Sequence, residues 1–175
     1  MPSSSSGNNT FIYITRTNCI VRVEKDFEVF IALLNAHKVE YLLIGAYAVV
    51  LHSRARNTGD IDFWINPERK NAERVLAVLA EFGFKGLEIT LETLCDASTV
   101  IQLGFEPVRI DLMTSAGGIS FDEALAAGTW EKFGSQNVRV ISLDHLIASK
   151  RSAARPQDLA DIDQLIKFKM ANEDP

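Results

Sequence analysis

Cysteine is scarce in this sequence, and long apolar runs and an excess of basic residues are missing from it. Of 175 residues only two are cysteines, Cys19 and Cys95, and their separation does not suggest a metal-binding pair. This scarcity argues against a disulfide framework and predicts a reducing compartment, so we expect a cytoplasmic protein. No apolar run reaches the roughly 18–20 residues of a membrane span, and we expect neither a signal peptide nor a membrane partner.

The charge balance excludes a strongly basic nucleic-acid-binding protein. The chain has 23 acidic and 18 basic residues, which give a formal net charge of −5. It also lacks a basic stripe with interleaved aromatic residues, the pattern typical of single-strand binding surfaces. What it does contain is 47% hydrophobic residues, enough to build the core of one domain of this length.

We predict one domain over residues 23–172, preceded by residues 1–22 as a disordered or poorly placed N-terminal extension. The β-prone stretch 11–23 is either an added edge strand or part of that extension. Helices and strands interleave without a regular βαβ repeat, so the predicted fold class is α/β in content and α+β in arrangement. We expect a mixed β-sheet with helices packed around it.

Apolar periodicity and turn residues locate the individual elements. Asn66 and Pro67 are typical of a helix start, and Gly83 is typical of a helix end. The predicted helices cover about 24–37, 46–52, 67–82, 91–95, 121–127, 143–153 and 156–170, and the predicted strands cover about 41–44, 60–65, 100–103, 108–113 and 138–141.

Two of these strands carry acidic side chains opposite an apolar face. Because side chains alternate across a strand, Asp60 and Asp62 point to the same side. Asp111 lies on the polar side of strand 108–113, so three carboxylates converge if the two strands pair. Like charges this close repel unless a cation lies between them, and carboxylate oxygens suit Mg²⁺. Spacing alone leaves open a half-exposed edge with solvated acids.

A glycine turn precedes the aspartates. The apolar strand 41–44 ends at Gly45, and Ala46 opens the next helix. Glycine allows the backbone to approach a ligand closely, and the amide groups of a helix start favour an anion such as phosphate. The basic segment that follows contains Arg56, whose guanidinium could pair with phosphate or remain a solvated loop residue.

Three charged residues lie near the last two helices. Lys150 continues an inward-facing helical stripe, so it either extends to solvent or meets buried negative charge. Asp158 in a first helical turn stabilises the helix dipole. Alternatively, Asp158 or Arg155 orients Lys150 or a substrate.

Together these motifs resemble the DNA polymerase beta-like nucleotidyltransferase superfamily, whose pattern is an apolar strand, a glycine, a helix, D-x-D and a third aspartate on a later strand. The segment 56–62, RNTGDID, is similar to R-x-T-x-D-I-D in small bacterial members, including toxins of abortive-infection toxin–antitoxin systems. The likeness spans about residues 26–168. Ala46 stands where many members have a serine whose hydroxyl contacts a phosphate.

The resemblance implies an enzyme that moves a nucleoside monophosphate from an NTP to a hydroxyl of an RNA, a protein or a small molecule. It also implies two Mg²⁺ ions, a toxin–antitoxin or phage-defence role, and an antitoxin, a tRNA or a protein as a partner. The alternative is a non-catalytic module that binds a nucleotide or a partner through a degraded site. The implied site residues are Asp60, Asp62 and Asp111 for catalysis and metal, and Gly45, Ala46, Arg56, Thr58 and Lys150 for the nucleotide.

Overall fold

Helices and short strands alternate along the chain, as its apolar periodicity predicts. The computed structural model describes residues 12–14, 21–53, 58–84, 88–105 and 108–173. The strands are β1 (Ile12–Ile14), β2 (Val21–Val23), β3 (Tyr41–Ile44), β4 (Asp60–Ile65), β5 (Val100–Phe105), β6 (Val108–Met113), β7 (Thr129–Phe133) and β8 (Gln136–Val140). The helices are α1 (Lys25–Ala36), α2 (Gly45–His52), α3 (Arg69–Phe82), α4 (Leu91–Cys95), α5 (Phe121–Ala127), α6 (Leu143–Ala153) and α7 (Pro156–Glu173).

Six strands form one mixed sheet in the order β5-β6-β4-β3-β8-β7, which confirms the predicted fold class. The pairs β4–β6 and β3–β8 are parallel, and the other neighbours are antiparallel. Every residue of β3 is buried, as expected for an uninterrupted apolar strand in the middle of a sheet. Because β4 lies between β3 and β6, its polar residues are close to both strands.

One face of the sheet is covered by α1 and α3. In α1, four apolar side chains recur at helical spacing and are buried. Phe30 of α1 packs against Phe63 of β4, with ring centroids 5.7 Å apart, and against Phe82 of α3, at 5.0 Å. Gly83 ends α3 in the left-handed conformation at φ +111°, as its position after the last apolar residue predicts.

The opposite face of β4 carries Asp60, Asp62 and Trp64. Trp64 is buried where its ring meets Phe121 of α5 edge-on, with centroids 5.2 Å apart. Farther along this face, α6 and α7 pack against each other and against α2. The part of the face that carries the two aspartates remains open as a cleft.

Apart from shifts of up to three residues at the ends of other elements, the structure differs from the prediction in three places. β1 and β2 pair in a two-stranded sheet separate from the six-stranded one, so this stretch is not an added edge strand. α3 begins at Arg69, two residues later than predicted, because Asn66 accepts a hydrogen bond from the Glu68 amide and forms a turn in place of a helix cap. β7 was not predicted, since its short run is mostly exposed and lacks a clear apolar face.

In the ranges that the structure describes, no helix combines the length and the apolarity needed to cross a membrane. Residues 23–172 remain the domain that we propose. The fold matters for the site in one respect: the two aspartate-bearing strands are neighbours, and both of them run in the same direction.

Candidate active site

The three predicted aspartates lie side by side on paired strands. In the parallel register of β4 and β6, Asp62 is opposite Asp111 and Asp60 is opposite Arg109. Directly opposed residues of neighbouring strands point to the same side of a sheet, so all four side chains share one face. Their apolar neighbours on each strand fill the core on the other face, which determines the direction of the charged ones.

Gly45 allows the start of α2 to approach Asp62. Its φ is +66°, and a Cβ atom built at this position would overlap the Asp62 carboxylate. Any other residue would therefore push α2 away from β4 or displace the aspartate. The first amide groups of α2, beginning at Gly45 and Ala46, lie at the edge of the cleft, where helix starts favour anions.

Arg109 lies among the carboxylates and binds two of them. Its Nε donates to Asp111 Oδ1 at 3.0 Å, and its Nη2 donates to Asp60 Oδ2 at 2.5 Å and to Asp111 Oδ2 at 3.2 Å. Arg109 is absent from the predicted site, although strand alternation puts it on the same face as Asp111. The site is therefore built from three acids and one internal cation.

Burial and the neighbouring carboxylates both disfavour a negative charge on Asp62. Burial, followed by the charges of Asp60 and Asp111, raises the pKa of Asp62 to about 7, against the opposing effect of Arg109 and Lys150. A divalent cation would relieve this repulsion, and an all-carboxylate donor set suits Mg²⁺. Among the described residues, no three His, Cys, Asp or Glu side chains already form a metal-ligand group. A metal ion would replace Arg109 as the partner of two carboxylates.

Lys150 is buried and contacts negatively charged side chains, which is one of the two arrangements that its position on the helix allows. Its Nζ donates to Asp158 Oδ1 at 3.0 Å and to Asp161 Oδ2 at 2.8 Å. Arg155 Nε donates to Asp158 Oδ2 at 2.6 Å. Burial would raise the pKa of Asp158, but hydrogen bonds from Arg155 and Lys150 hold that pKa below its usual value.

These ion pairs change the interpretation of Lys150. The resemblance implies a triphosphate as its partner, whereas two carboxylates of the protein itself already balance its charge. Asp161 is a site residue that the sequence interpretation missed. The available signal was its spacing, because Asp158 and Asp161 are three positions apart in the sequence and therefore lie on the same side of α7.

Two of the predicted nucleotide-binding residues, Thr58 and Arg56, are not among the described residues that line the cleft. Thr58 donates from Oγ1 to Asp60 Oδ1 at 2.6 Å, so it orients an aspartate and does not line the cleft. Arg56 lies outside the described residues. The other six predicted residues line one cleft of about 740 Å³, which is within the range of small-molecule sites. Those six are Gly45, Ala46, Asp60, Asp62, Asp111 and Lys150.

The family to which the chain is similar agrees with the described cleft. A family model described as "Nucleotidyl transferase of unknown function (DUF2204)" matches residues 23–173. Among curated proteins, none matches the chain in sequence.

Three solved structures share the fold. The lincomycin-bound crystal structure of the lincosamide antibiotic adenylyltransferase LnuA is 18% identical, with a TM-score of 0.55 over 83% of this chain and 97% of that one. An antigenic nucleotidyltransferase-like protein from Paracoccidioides brasiliensis is 16% identical, with a TM-score of 0.51 over 82% and 74%. The antibiotic-resistance factor ANT(2'')-Ia, a solution structure, is 13% identical, with a TM-score of 0.50 over 84% and 82%. At these identities the likeness shows the fold alone.

Proposed function

This chain belongs to the nucleotidyl transferase family of unknown function (DUF2204), and from that membership we propose a Mg²⁺-dependent enzyme that moves a nucleoside monophosphate from an NTP to a hydroxyl group. One observation supports this most directly. Asp60, Asp62 and Asp111 face the same cleft on paired strands, beside a helix start that reaches Asp62 through Gly45. Acceptors compatible with the proposal are an RNA, a protein or a small molecule.

Each aspartate has a role in the proposed reaction. Asp60 and Asp62 would hold two Mg²⁺ ions, and Asp111 would complete the ligands of the ion on the acceptor side. The bound ions would supply charge neutralisation for the triphosphate and for the oxygens that attack and leave. Thr58 keeps Asp60 in position through its hydrogen bond.

The phosphates would lie at the start of α2. The amides of Gly45 and Ala46 offer donors there, and Arg56 would add positive charge. Lys150 would border the phosphates, with its own charge already shared by Asp158 and Asp161. Ala46 provides no hydroxyl, so this proposal depends on backbone donors at that position. The ion pairs from Asp158 and Asp161 hold the Lys150 ammonium at the cleft wall.

The transfer itself is a single displacement at phosphorus. The acceptor oxygen forms a bond to the α-phosphorus, the bond from that phosphorus to the bridging oxygen of the β-phosphate breaks, and pyrophosphate leaves. The hydroxyl proton passes to Asp111. No oxidant or further reactant takes part.

The test is transfer of label from an NTP that is labelled at the α-phosphate. Asp60→Ala should lower the rate by about a hundredfold or more, since it removes a ligand of the metal ions that would neutralise charge in the transition state. Asp163→Ala, the same change at an exposed position of α7, is the matched control and should keep the wild-type rate. Transfer by Asp60→Ala at the wild-type rate would contradict the proposal.

A toxin or phage-defence role is a separate part of the proposal, and it rests on the resemblance of segment 56–62 to small bacterial toxins. Induced expression of the wild type should arrest growth, and the Asp60→Ala protein at equal level should not. Growth arrest by both proteins, or by neither, would contradict this role. The labelling assay would still test the transfer activity independently.

A further inference from the structure

The cleft has two different ends. Gly45 lies at the end of β3, on one side of β4, whereas β5 lies beyond β6 at the edge of the sheet. In the register of β5 and β6, Val100 is opposite Met113 and Gln102 is opposite Asp111. These side chains therefore share the face of Asp111 and lie on the side of the cleft away from the start of α2.

We call Val100, Gln102 and Met113 the β5–β6 platform. All three line the cleft, and none carries a charge. The platform is accessible, because Val100 is 57% exposed and Gln102 is also exposed. Gln102 Nε2 donates to Asp111 Oδ2 at 3.4 Å, so its amide lies next to the carboxylate that faces the acceptor. The platform therefore presents the apolar side chains of Val100 and Met113 and the Gln102 amide beside the Asp111 carboxylate.

The charged residues that line the described cleft favour an acceptor without negative charge. Among its described lining residues are five aspartates and three cations. Arg109 is paired with Asp60 and Asp111, and Lys150 and Arg155 are paired with aspartates of α7. Nucleic acids bind through basic residues that neutralise successive phosphates. The described cleft lining has more negative than positive side chains, so it offers a second polyanion beside the NTP less attraction than it offers an uncharged or cationic compound.

We infer that the acceptor is a small hydroxyl compound without negative charge, held on the β5–β6 platform beside Asp111. The inference rests on the proposed function and adds the class and place of the acceptor. An apolar part of the compound contacts Val100 and Met113, and the Gln102 amide binds a polar group. The hydroxyl oxygen forms the bond to the α-phosphorus, its proton goes to Asp111, and pyrophosphate leaves.

The test divides a cell extract into total RNA, total protein and a low-molecular-mass fraction. The last fraction is separated by anion exchange into retained anions and unretained neutral or cationic compounds. Each fraction is incubated with the full-length protein, Mg²⁺ and α-labelled NTPs. Label should appear only in products of the unretained fraction. Label in RNA, in protein or in the retained anions would overturn the inference.

A platform variant locates the acceptor. Val100→Trp adds bulk at an exposed edge position, so the protein should fold normally. The amount of unretained fraction that gives half-maximal labelling should rise about tenfold or more, as expected for a changed contact in an apolar pocket. The KM for the NTP should not change. Val29→Trp, at a 43% exposed position on α1, is the matched control and should behave like the wild type. Equal behaviour of both variants would overturn the assignment to the platform.

Failure of the proposed function gives a different result. Calorimetry with Mg²⁺ and α,β-methylene-ATP measures nucleotide binding without transfer. If this analogue does not bind and no fraction is labelled, the proposed function is wrong and the inference is overturned with it. If the analogue binds and RNA or protein is labelled, the proposed function stands and only the inference is overturned.

Discussion

Removing one negative charge from the cleft should stabilise the metal-free protein at neutral pH, and Asp62 is the residue that tests this. Its carboxylate lies near Asp60 and Asp111 and contacts the start of α2 at Gly45. Ionisation of Asp62 therefore adds a third negative charge to a confined space. Asp62→Asn keeps the shape of the side chain and removes the charge, so the variant should be more stable than the wild type wherever Asp62 is ionised.

The raised pKa determines the pH window and the size of this effect. The pKa of Asp62 rises from 3.8 to about 7 on folding, so the folded state binds the proton more tightly than the unfolded state. The resulting stabilisation is complete below about pH 4 and is lost as the pH rises through about 7. At ~1.4 kcal/mol for each pKa unit, the full loss would be ~4 kcal/mol. Because the cleft is open to water, we expect about half of this.

Urea unfolding in the presence of EDTA measures the effect. Between about pH 4 and about pH 8, the wild type should lose ~2 kcal/mol of unfolding free energy relative to Asp62→Asn. Asp163→Asn, the same change at an exposed position of α7, should follow the wild type. Mg²⁺ at the higher pH should stabilise the wild type more than Asp62→Asn, since the ion supplies positive charge among the three carboxylates. Equal pH dependence of the wild type and Asp62→Asn would refute the reasoning.

Two further variants test the framework of the site by urea unfolding. Gly45→Ala should lower stability by about 2 kcal/mol or more, because its methyl group would overlap the Asp62 carboxylate. Gly118→Ala, at a similar φ but in open space, should have a smaller effect, and equal losses would argue against the overlap. Lys150→Met should lower stability by about 3–5 kcal/mol, because it removes the buried cation that two buried carboxylates share. Arg155→Gln, at a 75% exposed side chain, should lower it by less than about 1 kcal/mol, and an equal loss in both would contradict the buried network.

The faces of the strands could be predicted from the sequence because they depend on local alternation. Asp60 and Asp62 are separated by one apolar residue, and the same pattern surrounds Asp111, so each strand by itself indicates its polar side. Pairing of β4 with β6 could only be supposed, since more than 40 residues separate the strands and no local pattern encodes which strands become neighbours. The convergence of the three carboxylates depends on that pairing.

Side-chain partners were harder to predict than side-chain directions. The inward position of Lys150 follows from its helical stripe, but its partners come from the next helix and depend on how α6 packs against α7. Arg109 shows the same limit, because its two carboxylates lie on different strands. At the start of α3, the contact of Asn66 with Glu40 fixes a turn that local preferences alone do not predict.

The position of Arg109 makes cation binding at this site an exchange reaction. A guanidinium already occupies oxygens of Asp60 and Asp111, so an incoming ion must compete with it. A weakly held monovalent ion should not displace this bidentate charge-assisted partner, whereas the proposed divalent ion with its triphosphate should. On the proposed function, Arg109 would hold the aspartates in place between catalytic cycles, and metal and nucleotide would bind best when they arrive together.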